Sequence, residues 1–311
     1  MNAPPVTINE TNYHGWPHSL VISDGFVEAI VVPAAARVMQ FRFIGDEAGT
    51  FWENRDLDGR QPNPDTGEWM NFGGDKCWPS PQSDWPATMG RYWPPPVAFD
   101  TMPAAADVDG EEITLVTTVD PDYGLRVVRR VTLVAGRSAM TIRTRYRKIE
   151  GPPVKVAIWT ITQLRDPQRV FALLPQPAST GHLNFPRGFG QMTGPEPWEL
   201  QHHERMISLR RHPDEKLKIG TESESLLWMG EKCSLRISSA RTPGEYPNGG
   251  SSAEIYTDSP DPYVELETTG ALHTMHVGDL LEKTNTYQLS PRTTTDEVEE
   301  ARKAFGLTER H

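Results

Sequence analysis

Short strand-like runs of hydrophobic residues mark the first part of the chain, and the last of them alternates in part with polar positions. The runs cover residues 19–23, 26–33 and 37–44. In the last run Met39, Phe41 and Phe43 share one face, which is the period-two pattern of a half-buried strand. Asp24-Gly25 favours a hairpin turn between the first two runs, because glycine adopts positive φ at little cost. The pattern predicts three strands in this region.

Longer alternating runs, rich in β-branched residues, follow between Ile113 and Leu164. Three of them cover 125–134, 139–147 and 154–163, with turn signals at Ala135-Gly136-Arg137 and Gly151-Pro152-Pro153. We expect these three strands to form an antiparallel meander. Shorter strands are predicted at 169–174, 226–229, 234–238, 253–257, 263–267 and 280–289.

A helical pattern is clear only near the C-terminus, over residues 296–305. Thr294 is the expected N-cap, with Glu297 as its capping-box partner. We expect this helix to be a terminal appendage. With some dozen strands, no βαβ alternation and no internal repeat, the chain favours a large antiparallel sandwich over a Rossmann fold or a solenoid.

Length and composition limit the architecture further. A chain of 311 residues exceeds the size at which one core usually stops growing, so one large β unit or two domains would fit. Glycine (25) and proline (28) are abundant, while hydrophobic residues stay at 37%. That composition is typical of a turn-rich globular chain and not of a disordered one.

The charge balance and the cysteine count exclude several functions. A net charge of −11 repels a phosphate backbone, so we expect no nucleic-acid partner and favour a neutral or cationic small ligand. Cys77 and Cys233 lie too far apart for a CxxC motif, and we expect two unpaired buried thiols with no structural metal. No apolar run approaches the ~18 residues of a membrane span. We expect a cytoplasmic monomer or homodimer without a cofactor or a membrane partner.

The segment 51–100 has an unusual composition. It holds five of the nine tryptophans, namely Trp52, Trp69, Trp78, Trp85 and Trp93. Eight prolines accompany them. We expect a long, proline-stiffened loop that lines a site or packs against a sheet edge, and not an ordinary core strand.

The sharpest cluster of candidate chemistry is residues 71–79, Asn-Phe-Gly-Gly-Asp-Lys-Cys-Trp-Pro. Gly73 and Gly74 permit close backbone approach, while Asp75, Lys76 and Trp78 supply an acceptor, a cation and a flat apolar face. A sugar needs such parts, because its hydroxyls take polar partners and its C–H face stacks on an indole. The alternative is a Gly-Gly turn with an exposed Asp–Lys pair and a core tryptophan.

Other polar residues extend the candidate site. Gln82, Asp84, Trp85 and Arg91 would enlarge the pocket, although each is individually typical of an ordinary loop residue. In the predicted strand 263–267, Glu265 and Glu267 project to the same face because side chains two apart do so. The pair either stands in water or sits in a polar cleft. In a cleft, one carboxylate would act as a general base with its pKa raised by burial and by its neighbour.

The nine histidines give only weak signals. His202 and His203 are adjacent and project in different directions, and His273 and His276 lack a third ligand, so a metal site is not expected. His182 lies in a loop-like stretch as a catalytic candidate or an ordinary surface residue. No GxSxG, P-loop, HExxH, EF-hand or dinucleotide motif is present, which leaves acid–base chemistry or binding.

Four motifs together resemble a known family. They are 12–16 (Asn-Tyr-His-Gly-Trp), 51–54 (Phe-Trp-Glu-Asn), 71–79 and 93–95 (Trp-Pro-Pro). The chain resembles an uncharacterised bacterial domain family of the galactose mutarotase-like, or aldose 1-epimerase-like, superfamily. The resemblance implies an all-β antiparallel β-supersandwich with a short C-terminal helix and a carbohydrate-sized concave site. It favours one domain over 12–290, with an N-terminal extension at 1–11 and a helix and tail at 291–311.

The resemblance also implies roles for individual residues. Leu266-Glu267-Thr268 is similar to the strand whose glutamate is the general base of sugar mutarotases, and Gly278-Asp279 resembles the turn before the last strand. The expected catalytic residues are Glu267 as base, with His182 or Lys76 as acid. The expected sugar-binding residues are Asn71, Gly74, Asp75, Trp78, Gln82, Arg91, Trp159, Gln163 and Glu265.

The chain departs from the superfamily in one strand. Mutarotases carry a histidine acid there, whereas this sequence reads Ile158-Trp-Thr-Ile-Thr-Gln163. Trp159 and Gln163 bind sugars but do not shuttle protons. The leading hypothesis is therefore an aldose epimerase-like enzyme, beside a non-catalytic sugar-binding or sensor module. A third hypothesis is a lyase or glycoside-processing enzyme, whose cationic subsite would come from the arginines of 126–147, although a solvated outer face explains Arg143, Arg145 and Arg147 better.

Overall fold

The structure, a computed structural model, describes residues 4–61, 68–100, 102–176, 183–184 and 199–307, without the side chains of 183 and 184. In chain order the strands are β1 (Thr7–Tyr13), β2 (Trp16–Ser23), β3 (Val27–Val32), β4 (Arg37–Phe43), β5 (Asp75–Ser80), β6 (Ala105–Asp109), β7 (Glu112–Val119), β8 (Leu125–Val134), β9 (Ala139–Lys148), β10 (Val154–Arg165), β11 (Arg169–Leu173), β12 (Leu183–Asn184), β13 (Gln201–His202), β14 (Met206–Leu209), β15 (Leu217–Thr221), β16 (Ser225–Met229), β17 (Cys233–Ser238), β18 (Ala253–Thr257), β19 (Tyr263–Thr269), β20 (His273–Met275) and β21 (Leu280–Pro291). The helices are short: α1 (Trp85–Met89), α2 (Val97–Asp100), α3 (Pro247–Gly250) and α4 (Glu297–Ala304).

The strands form two antiparallel sheets. The larger has the order β1-β2-β3-β4-β5-β10-β19-β18-β15-β12, with β20 pairing the start of β10. The smaller has the order β13-β14-β11-β16-β17-β21-β9-β8-β7-β6. The expected all-β sandwich with a short C-terminal helix is confirmed. β1 begins at Thr7 and pairs with β2, inside the expected N-terminal extension.

The expected three-stranded meander is wrong in its third member. β8 and β9 pair along their whole length in the smaller sheet. β10 instead crosses to the larger sheet, where it pairs with β5 and β19. Its residues are buried on both faces from Val156 to Leu164, as in a central strand, and Gly151-Pro152-Pro153 is the crossover and not a hairpin turn.

The segment rich in tryptophan and proline also differs from expectation, because it contains a central strand. Every residue of β5 is buried. β5 pairs with β10 over six residues but with β4 only at Val38–Asp75. Pro79 therefore lies where β5 has no partner on its β4 side, and its missing N–H breaks no ladder hydrogen bond.

The C-terminal helix α4 begins at a different cap from the expected one. Asp296 is the N-cap, and its carboxylate accepts hydrogen bonds from the backbone of Val298 and Glu299. A carboxylate also suits the positive end of the helix. The hydroxyl of Thr294 accepts instead from the backbone N–H of Asp296 itself. Ala301 and Phe305 pack against the smaller sheet, so the helix is part of the core and not an appendage.

The two sheets enclose a large apolar core with a polar cluster inside it. The Asp75 carboxylate, fully buried, accepts hydrogen bonds from Thr162 of β10 (2.6 Å) and Tyr287 of β21 (2.5 Å). It also pairs with the Arg129 guanidinium of β8, which donates to the Asp75 backbone carbonyl at 2.9 Å. The nearby carboxylate raises the pKa of Arg129 overall, although burial acts in the other direction. One buried carboxylate thus joins the two sheets.

The arginines of β9 lie on its outward face. Arg143 and Arg147 are exposed, and Arg145 pairs with Glu282 of β21 at 2.7 Å. Both cysteines are buried and unpaired, as expected, and burial raises the pKa of each thiol to about 11. Across the described ranges, no helix has the length and apolar character needed to cross a membrane.

The Asp75 cluster predicts a large loss of stability on its removal. Asp75→Ala leaves the Arg129 charge buried and unpaired, so we expect the free energy of unfolding in urea to fall by about 3–5 kcal/mol. Asp122→Ala is the matched control, since Asp122 and Arg91 form a partly exposed pair at 3.4 Å and we expect a change within about 1 kcal/mol. Equal losses in the two variants would contradict this account of the core.

Candidate functional site

A cavity of about 390 Å³ opens on the face of the larger sheet that points away from the smaller sheet. That volume lies in the range of small-molecule sites. The sheet supplies its floor from β5, β10, β19, β18 and β15, and the segments before and after β5 supply a wall. It is lined by Trp69, Asn71, Trp78, Gln82, Trp93, Trp159, Lys216, Lys218, Tyr256, Asp258, Ser259, Pro260, Asp261, Tyr263 and Glu265.

Four indoles form the aromatic wall of the cavity. Trp78 of β5 and Trp159 of β10 are neighbours across the strand pair, with ring centroids 5.5 Å apart and planes at 81°. Trp93 packs edge-on against Trp78 at 5.9 Å and against Trp69 at 4.9 Å. Aromatic surface of this kind is what the C–H face of a sugar ring packs against.

Buried carboxylates hold two of these indoles in place. The Trp78 N–H donates to Asp100 at 2.9 Å, and Asp100 is itself paired with Arg37 at 2.9 Å. The Trp159 N–H donates to Glu267 at 2.7 Å. The ring orientations are therefore fixed before any ligand enters.

The two carboxylates of β19 lie on the cavity face, as expected from their spacing, but at different depths. Glu265 lines the cavity and is partly exposed, and one of its oxygens accepts from Gln163 at 2.9 Å. Glu267 is fully buried and does not line the cavity. Burial raises the pKa of both groups, that of Glu267 to about 8, while Lys218 opposes the rise.

Lys218 of β15 connects three strands of the cavity floor. Its ammonium donates to both oxygens of Glu267, at 2.9 and 2.8 Å, and pairs with Glu254 of β18 at 2.8 Å. It also lies 5.0 Å from the centre of the Trp159 ring. Burial acts to lower the pKa of Lys218, but the two carboxylates raise it overall, so this residue stays charged.

Lys76 of β5 is a buried cation behind the indoles. Its Nζ lies 4.6 Å from the centre of the Trp78 ring and 5.5 Å from that of Trp69. Within the described ranges no hydrogen-bond acceptor reaches it. Burial, together with the charge of Arg37, lowers the pKa of Lys76 to about 8.

Further polar atoms around the cavity also lack partners in the described part of the chain. They are the indole nitrogen of Trp69, Oδ1 of Asn71, Nε2 of Gln82 and Oε1 of Gln163. Unpaired buried polar atoms each cost about 1–3 kcal/mol and are uncommon in folded proteins. With Nζ of Lys76, these atoms are five of the fifteen such atoms in the described ranges, and all five lie around this one cavity.

Four of the nine expected sugar-binding residues do not line the cavity: Gln163 lies directly behind it, and Gly74, Asp75 and Arg91 lie elsewhere. Asp75 points to the opposite face of β5, into the core, because neighbouring strand residues project to opposite sides. Gly74 packs against β4, where an added Cβ would lie 2.6 Å from the Val38 carbonyl oxygen, so its close approach is to backbone and not to a ligand. Arg91 faces Asp122 at 3.4 Å. The structure therefore does not place Gly74, Asp75 and Arg91 at the site.

The remaining expected residues divide into two groups. Asn71, Trp78, Gln82, Trp159 and Glu265 line the cavity, whereas Lys76, Gln163 and Glu267 lie directly behind it. His182 lies outside the described residues. Of the loop residues added to the expected pocket, Trp85 is fully buried and donates its N–H to the Pro79 carbonyl at 2.9 Å.

Sequence reasoning missed the far side of the cavity, which β15, β18 and the segment after β18 provide. Lys216 and Lys218 alternate with Leu217 and Ile219, and Glu254 lies between Ala253 and Ile255 in β18. Polar residues at every second position of a short apolar strand are the signal that could have located this side. It was hidden because solvent exposure produces the same pattern.

Comparison with solved structures identifies the fold as that of galactose mutarotase-like proteins. A galactose mutarotase-like protein from Lactobacillus casei has a TM-score of 0.54 and 10% identity, covering 88% of this chain and all of the other. A galactose mutarotase related enzyme from Lactobacillus acidophilus has a TM-score of 0.54 and 10% identity, covering 90% and 99%. A candidate aldose 1-epimerase from Klebsiella pneumoniae has a TM-score of 0.58 and 9% identity, covering 98% and 88%.

These likenesses establish a shared fold and no more, because the identities are near 10%. No protein-family model matches the chain, and no curated protein matches it in sequence. The function must therefore be argued from the cavity itself.

The Lys218 cluster predicts a pH-dependent loss of stability. Lys218→Met leaves Glu267 and Glu254 buried without their cation, so we expect the free energy of unfolding at pH 8 to fall by about 3–5 kcal/mol. The pKa of Glu267 is already raised in the folded protein and rises further in this variant, so stability returns as the pH falls and this group is protonated.

Lys216→Met is the control, because Lys216 forms a partly exposed pair with Asp258 at 2.8 Å. We expect a change within about 1 kcal/mol, with little pH dependence. Urea unfolding of both variants between pH 5 and pH 8 measures the difference. A Lys218→Met deficit that is small, or that does not vary with pH, would show that the cluster is not an electrostatic unit.

Proposed function

We propose that the cavity binds a carbohydrate and that the protein catalyses acid–base chemistry of the aldose 1-epimerase type. The observation that carries the proposal is the combination of indole faces and unpaired polar atoms around one cavity of monosaccharide scale. Indoles pack against the C–H face of a pyranose, while amides and carboxylates bind its hydroxyls. The fold shared with mutarotase-like proteins supports the same ligand class.

The proposed reaction is the exchange of the two anomers of a free aldose. A carboxylate of β19 takes the proton of the anomeric hydroxyl, the C1–O5 bond breaks, and an acid protonates the ring oxygen. Rotation about C1–C2 and the reverse steps close the ring in the other configuration and restore both proton carriers. The resemblance assigns the base to Glu267, with Glu265 beside it on the same face.

Lys76 is the proposed acid, with His182 as the alternative. Its ammonium has no competing acceptor in the described ranges, and its pKa is lowered to about 8, close to neutral pH. An acid with a pKa near the working pH transfers its proton most effectively, directly or through one water. Trp78, which covers Lys76, lines the cavity, so the path to a ligand is short.

A non-catalytic sugar-binding or sensor module is the second candidate. The observation that favours it is that no histidine lines the cavity in the described ranges. The resemblance implies a histidine acid in the strand that here carries Trp159. The lyase hypothesis has less support, because Arg143, Arg145 and Arg147 face outward from the other sheet.

The enzyme proposal predicts measurable anomer exchange. We expect the protein to accelerate exchange for at least one member of a panel of free aldoses, measured by polarimetry or exchange NMR. The double variant Glu265→Gln/Glu267→Gln should lose about 10²–10⁴-fold of that acceleration, since both carboxylates of β19 are then neutral. Glu282→Gln, on the outward face of β21, should retain it.

Unchanged exchange in the double variant would remove the mechanism. A shift of tryptophan emission on adding sugar, without any exchange, would select the sensor module instead. Absence of both responses across the panel would reject a carbohydrate ligand.

The assignment of Lys76 predicts a pH limit on the rate. The rate should fall as the pH rises through about 8, because Lys76 then loses the proton that it must donate. In Lys76→Arg the side chain stays charged but does not release a proton, so the rate should be low at every pH. If the rate of Lys76→Arg still fell as the pH rose through about 8, the acid would be a group other than Lys76.

A further inference from the structure

The two carboxylates of β19 have different roles, and the difference follows from their partners. We infer that Glu265 is the catalytic base and the direct ligand of the sugar, and that Glu267 is a positioning residue that acts through Trp159 and Lys218. This inference rests on the proposed function and reverses the assignment that the resemblance gives.

The oxygens of Glu267 are already occupied. Oε1 accepts from Lys218 at 2.9 Å, and Oε2 accepts from Lys218 at 2.8 Å and from Trp159 at 2.7 Å. Both donor groups belong to the protein, and the residue has no exposed surface. A base must come within about 2.6–3.2 Å of the proton it removes, or act through one water. Glu267 meets neither condition without breaking this network.

Glu265 has the opposite arrangement. Its Oε1 accepts from Gln163 at 2.9 Å, and in the described ranges no donor reaches its Oε2. The residue lines the cavity, and in the sheet it lies opposite Gln163 of β10 on one side and Tyr256 of β18 on the other. One oxygen is therefore oriented by the protein, and the other is available to a ligand hydroxyl.

The neighbours of Glu265 also suit a base. Burial raises the pKa of Glu265 above the usual glutamate value, while the charges of Lys76 and Lys218 act to lower it. The amide of Gln163 donates a hydrogen bond to the carboxylate and is not ionisable, so it orients Glu265 without taking part in proton transfer. The role of Gln163 is therefore to orient Glu265, and not to contact the sugar.

Glu267 governs the shape of the cavity instead. Its two partners, Trp159 and Lys218, both line the cavity, and each is held by it through a hydrogen bond shorter than 3 Å. Successive side chains on one strand face are about 6.6–6.8 Å apart, so Glu267 sits one step along from the open carboxylate. Removing its charge should loosen the aromatic wall without removing the proton acceptor.

Separate amide variants test the two roles through kinetics and pH profiles. In Glu265→Gln we expect kcat to fall about 10²–10⁴-fold, with loss of the ascending limb of the pH profile. In Glu267→Gln we expect mainly a higher KM and a changed tryptophan emission, with kcat within about tenfold and the ascending limb retained. The reverse pattern, with the limb lost only in Glu267→Gln, would overturn the inference.

Trp159→Phe provides an independent test should Glu267→Gln fail to fold. It removes one N–H donor from Glu267 while keeping an aromatic ring in the wall. If Glu267 were the base, the loss of that donor would raise its pKa and move the ascending limb to higher pH. We expect the limb to stay where it is, and a shift would contradict the assignment to Glu265.

Failure of the inference and failure of the proposed function give different results. An active wild type whose ascending limb depends on Glu267 rejects the inference alone. If the wild type binds sugar without turnover, the test is the affinity for that sugar. Glu265→Ala should then weaken binding about 10-fold or more, and an unchanged Kd would overturn the contact between Glu265 and the sugar. A wild type without exchange or binding rejects both.

Discussion

The buried carboxylate of Asp75 is the constraint on which the arrangement of the cavity depends. It accepts hydrogen bonds from Thr162 of the same sheet and from Tyr287 of the opposite sheet, and it pairs with Arg129. Because strand residues alternate, an inward Asp75 requires Lys76 and Trp78 to project to the other face. A contact between the two sheets therefore decides which side chains of β5 reach the cavity.

The same principle operates on the cavity face, where buried charges orient the groups that line it. Asp100, paired with Arg37, fixes the indole of Trp78, and Glu267, paired with Lys218, fixes the indole of Trp159. Charges buried in this way are costly unless they are paired, so each pair is strongly constrained in position. The aromatic wall is consequently rigid, and the remaining unpaired polar atoms are left for a ligand.

The sequence predicted the fold class and most strands because hydrophobic alternation is a local signal. It failed for β5, whose proline and polar residues conceal a central strand, and for the partner of β10, because pairing between distant strands leaves no local trace. The prediction that Glu265 and Glu267 share a face needed only the period of a strand. Their different depths depend on Lys218, which lies about fifty residues away in sequence, and no pattern within β19 contains that information.

The most direct test of the account is a crystal structure of the protein soaked with a free aldose that it binds. We predict a pyranose ring packed on the indoles of Trp78 and Trp159, with a hydroxyl within hydrogen-bonding distance of the open oxygen of Glu265 and none on Glu267. A sugar bound elsewhere on the protein, or one that displaces Lys218 to reach Glu267, would contradict the account.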